Sequence, residues 1–75
     1  MKTFQYTFNY KPAIYEYIQQ STILNEEKKE KEILSLLVKG KKCYQIASAT
    51  NYSERTIQDR RRDIYRKTKD LMLDI

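Results

Sequence analysis

From Cys43 onward, small and apolar residues fall at Cys43, Ile46, Ala47 and Thr50, the i, i+3, i+4, i+7 spacing of one helix face. The segment "TNYS", Thr50–Ser53, then ends the pattern. Asn51 tolerates the left-handed backbone that a tight turn demands, Ser53 is a helix N-cap, and Glu54 complements the positive end of a new helix. That helix is predicted over 54–72, with Ile57, Ile64, Tyr65, Thr68, Leu71 and Met72 on its inner stripe. Arg61 falls on the same stripe and is its one misfit. Two helices joined by so short a turn must cross, so this segment constrains the fold more than any other. Ala47 stands where the helices approach closely, Asn51 lies at the turn, and Ile57 follows where the second helix plugs into the core. The layout is a helix-turn-helix.

Two further helices precede it. Pro12 suits a first helical turn, and "PAIYEYIQQ", 12–20, places Ile14, Tyr17 and Ile18 together. "STILN" interrupts, and Asn25 is a candidate N-cap for "EEKKEKEILSLLVKG". The acids Glu26 and Glu27 suit that helix's start, and Gly40 suits its C′ position. The apolar residues Ile33, Leu34, Leu36, Leu37 and Val38 predict that its C-terminal half is the buried one.

The first ten residues follow another period. Phe4, Tyr6, Phe8 and Tyr10 alternate with Thr3, Gln5, Thr7 and Asn9, which predicts a short β-strand with one buried face. No second strand pattern exists in the chain, so a partner strand has to come from elsewhere. A homodimer that pairs two copies of the strand through the four aromatics supplies one. Alternatives are an arm docked on its own helices, and a ribbon whose polar face, Thr3, Gln5, Thr7 and Asn9, enters a DNA groove as in ribbon-helix-helix repressors. The fold expected is mainly α: a short N-terminal β-strand followed by four helices containing a helix-turn-helix. The chain reads as one domain, 1–75, with a strand or arm at 1–11.

The formal net charge is +5, and its location matters more than its size. Between Ser53 and Lys69 stand Arg55, Arg60, Arg61, Arg62, Arg66, Lys67 and Lys69 against Glu54, Asp59 and Asp63. Arginine concentrated on one helix is the footprint of a phosphate-bearing partner, although a solvated, salt-bridged face gives a similar run.

The residues "EEKKEKEILSLLVKGKKCYQIASATNYSERTIQDRRRDIYRK", 26–67, resemble the tetrahelical helix-turn-helix of the LuxR/GerE type and of sigma-factor region four. The "SERTI" and "IYRK" segments are the most specific part of the likeness. LuxR-type domains usually carry apolar residues where Arg61 and Thr68 stand, and "TIQDRRRD" is similar to sigma-like regulators of phages and mobile elements. The resemblance implies a sequence-specific transcription regulator that binds double-stranded DNA, with helix 54–72 in the major groove. Facing out from its first turns, Arg55 and Arg62 suit guanine edges, Gln58 suits adenine, and Asp59 either accepts from cytosine or pairs with Arg55 or Arg62. Phosphate contacts are expected from Lys41, Lys42, Tyr44, Ser53, Thr56, Arg60, Arg66 and Lys67. RNA polymerase or another host protein is the alternative partner.

Enzymatic parts are missing from the sequence. It has no histidine, no Gly-rich phosphate loop and no paired carboxylates in an apolar setting, so neither catalysis, nor a metal, nor a cofactor is expected. Cys43 lies on an apolar helical stripe and reads as a small core residue. No apolar run approaches the ~20 residues of a membrane span, and no export signal stands at the start, so a cytoplasmic location is expected.

Overall fold

A computed structural model describes residues 7–72. Four helices occupy Pro12–Gln20 (α1), Glu30–Val38 (α2), Cys43–Thr50 (α3) and Glu54–Thr68 (α4), and a 3-10 turn, Lys69–Leu71, follows α4. Helix α4 is the axis of the fold and packs on both α2 and α3. Ile18, Ile33, Leu34, Ile46, Ile57 and Ile64 are fully buried around it, with Leu24, Cys43 and Phe8 closing the edges.

Local chemistry sets most of the boundaries. Pro12 opens α1 at a position where its missing N–H is no loss. At the end of α2, Gly40 adopts φ +86°, its N–H donates to the Leu37 carbonyl and the Lys41 N–H to the Leu36 carbonyl. This is the Schellman arrangement, which satisfies carbonyls that the last helical turn leaves open. At the start of α4 the Thr56 N–H donates to the Ser53 hydroxyl oxygen at 3.1 Å, the cap expected there.

Helix α2 starts later than the expected cap at Asn25. The Asn25 side chain accepts from the Lys28 N–H, but closes only a single turn, after which Lys29 swings to φ +56° and the helix begins at Glu30. A left-handed lysine costs on the order of 1 kcal/mol. The break places the Glu30 carboxylate, 1 % exposed, against the Asn25 N–H (2.7 Å) and Lys67 Nζ of α4 (2.8 Å). Val38, expected in the core, stands 43 % exposed at the end of α2.

The expected β-strand is corrected: among the described residues there is none. Thr7–Lys11 runs alongside α4 without a ladder. Phe8 is buried edge-on against Tyr65, with ring centroids 6.0 Å apart, and Tyr10 bonds Thr68 at 2.8 Å. Thr68 donates its single hydroxyl proton to the Ile64 carbonyl, so the Tyr10 hydroxyl is the donor of the shared bond. Side chains alternate in any extended chain, paired or not. The period-two pattern therefore records a segment with one face on the core. Phe8 and Tyr10, which a paired ribbon required, are engaged within the chain. Phe4 and Tyr6, also expected to dimerise, lie outside the described residues.

Candidate nucleic-acid interface

The interface is built on the crossing of α3 and α4. Ala47 is half-buried at the close approach, Asn51 takes the left-handed conformation (φ 62°), and Ile57 is fully buried. Short apolar residues inside and one left-handed turn residue let α4 leave α3 at an angle.

Arg55, Gln58, Asp59 and Arg62 recur on one face of α4, and Arg55, Gln58 and Arg62 are exposed there. Asp59 is half-buried and pairs with Arg62 at 3.5 Å, both side chains being about half exposed. Such an exposed pair contributes at most about 1 kcal/mol, so it aligns Arg62 without confining it. Burial of Ile57 and Ile64 fixes which way this face points.

The cations expected at phosphates divide into two groups. Lys41, Lys42 and Tyr44 are exposed where α3 begins, and Arg66 is exposed further along α4. The Lys42 N–H is held by the Gln45 side-chain oxygen at 2.9 Å, which orients that first turn. Arg60 instead turns back: its Nε donates to the Lys28 carbonyl at 3.3 Å, and its guanidinium sits 5.5 Å from the Tyr52 ring centre, which Lys29 approaches at 5.8 Å. Lys67 is held by Glu30. Ser53 donates to the Thr56 hydroxyl oxygen while capping the helix, which leaves the Thr56 proton to bond outward.

The ties of Arg60 and Lys67 had no signal in sequence, because their partners lie 32 and 37 residues away. Tyr52, which carries the two cations, was likewise silent. Arg61 was legible as a misfit. It is half-buried, with its Nε out of solvent, on the side of α4 that faces the N-terminal arm.

Among the described residues no cluster of His, Cys, Asp or Glu could hold a metal ion, and no helix is long and apolar enough to cross a membrane. No curated protein and no solved structure matches the chain. The family model GerE, described as bacterial regulatory proteins of the luxR family, matches residues 28–69. That match spans α2, α3 and α4 entire and covers more than half of the sequence. The chain therefore belongs to the LuxR family of bacterial regulatory proteins, whose helix-turn-helix domains bind DNA.

Proposed function

We propose that the protein is a sequence-specific regulator of transcription that places the first turns of α4 in the major groove of double-stranded DNA. The observation that carries the proposal is the exposed row Arg55, Gln58 and Arg62 on a helix anchored from behind by buried Ile57 and Ile64. Arg55 and Arg62 suit bidentate contacts to guanine, and Gln58 suits adenine. Asp59 aligns Arg62 or accepts from cytosine. Lys41, Lys42, Tyr44, Thr56 and Arg66 approach phosphates on either side and set the register without reading sequence. Arg60 and Lys67 are assigned to the scaffold, because the Lys28 carbonyl and Glu30 already hold them.

Selection of bound sequences from a random duplex pool, followed by Arg62→Ala, tests this reading. The wild-type protein should enrich one motif, and the variant should lose about 1–3 kcal/mol on that motif and relax preference at a single position. Unchanged affinity and preference in a folded variant would refute this docking. Duplex affinity that does not fall as salt rises would favour a protein partner such as RNA polymerase.

A further inference from the structure

Lys28 and Lys29 stand on the exposed turn that precedes α2. That turn is tied to α4. Arg60 Nε donates to the Lys28 carbonyl at 3.3 Å, and its guanidinium lies 5.5 Å from the ring centre of Tyr52, the residue before the Ser53 cap. Lys29, left-handed at φ +56°, brings its Nζ to 5.8 Å from the same ring. Glycine adopts this backbone without strain, whereas a lysine persists there only because its surroundings hold it. What the lysine adds is a positive charge at the α3–α4 turn.

That charge is accessible. The ion pairs among the described residues are Lys31–Glu26, Arg62–Asp59 and Lys67–Glu30, so no carboxylate among them holds the exposed Lys29. An exposed cation over a ring is held weakly, which leaves it able to turn to an anion. The Tyr52 hydroxyl makes no hydrogen bond among the described residues. Thr56 stands one turn before Arg60 on the same flank of α4, and its hydroxyl proton bonds outward because its oxygen accepts from Ser53. On the other flank, Glu54 and Arg61 line a cleft with Lys41 and Lys42. The exposed row Arg55, Gln58 and Arg62 therefore runs between two cationic walls.

We infer that Lys29 binds a backbone phosphate on the DNA strand opposite to the one met by Lys41 and Lys42, with the Tyr52 and Thr56 hydroxyls as neutral donors. Arg60 is the positioning residue that holds this site against α4. The inference rests on the duplex-DNA reading above and extends it to a residue outside the helix-turn-helix. A helix in the major groove has one backbone on each side of it. Contacts on both flanks fix the rotation of α4 about its own axis, and with it which side chains face the bases.

The test measures duplex affinity of the full chain across a salt series, together with ethylation interference at single phosphates of the selected motif. Lys29→Gly removes the charge at a backbone that glycine adopts freely, so the urea midpoint should stay at or above the wild-type value. The slope of log K against log salt should nevertheless flatten by about one unit, with affinity lowered for all sequences alike. Lys29→Arg should keep the slope. Tyr52→Phe should weaken binding to every sequence at unchanged slope, because no charge is removed. Interference at one phosphate should vanish in Lys29→Gly, on the strand opposite to the interference that Lys42→Gln removes. A wild-type slope in Lys29→Gly, whatever its midpoint, overturns the contact while leaving the duplex-DNA reading intact. Interference lost on the same strand in both variants overturns the two-sided grip. A wild-type chain that binds no duplex overturns both readings together.

Discussion

Replacing Lys67 with Met takes the ammonium group away from Glu30 and keeps most of the apolar stem. Glu30 is 1 % exposed, and its Oε1 accepts from the Asn25 N–H at 2.7 Å and from Lys67 Nζ at 2.8 Å. Removing one partner of a fully buried pair costs roughly 3–5 kcal/mol, because the other charge stays desolvated. Lys67 is 39 % exposed, so water already screens the pair, and the Asn25 N–H remains. Discounted for that screening, the expected loss is about 2 kcal/mol. Urea unfolding followed by circular dichroism should show the midpoint falling by about 2 M, at a slope of about 1 kcal/mol/M for so small a chain. Glu30→Gln added to Lys67→Met should recover most of the loss. A carboxamide oxygen still accepts from the Asn25 N–H and carries no charge to strand. A loss under about 0.5 kcal/mol, the range of a solvated surface pair, would refute the view that this bond clamps α2 to α4.

Gly40→Ala should destabilise by about 1 kcal/mol through backbone strain alone: φ is +86° and an added Cβ would meet nothing within 4 Å. Chemical denaturation checks it, and an unchanged midpoint would contradict the Schellman assignment. Tyr10→Phe should lose about 1 kcal/mol at neutral pH, the contribution of the bond to Thr68. Burial raises the Tyr10 hydroxyl above its usual range, so its contribution is complete below the unfolded tyrosine pKa and is lost as pH rises through the folded value. Thermal melts in the alkaline range should therefore decline less steeply for Tyr10→Phe than for wild type, and equal declines would show that Tyr10 does not titrate with folding.

Much of the helix-turn-helix geometry was legible because its determinants are local. Ser53 finds its partner at Thr56, and Cys43, Ile46 and Thr50 share one face of one helix. Spacing within a turn or two is enough to read such residues, and the same argument turns Arg55, Gln58 and Arg62 outward once Ile57 and Ile64 are inward. Arg60 and Lys67 lie on the same helix in the same basic run. Nothing within a turn of them distinguishes them from their neighbours, and distant partners draw them into the scaffold.

Sequence by itself determined α1, α3, the capped start of α4, the left-handed Asn51 and which isoleucines face inward from each helix, since each follows from spacing between residues close along the chain. Tertiary structure decided the rest. Glu26–Lys29 has the composition of a helix and yet breaks, where the Glu30 carboxylate meets Lys67 across the fold and the backbone N–H of nearby Asn25. Thr7–Tyr10 has the alternation of a strand and yet makes no ladder, because Tyr65 and Thr68 of α4 cover its apolar face. Periodicity specifies which side chains share a face. What that face rests against depends on groups dozens of residues away, and only the folded chain brings them together.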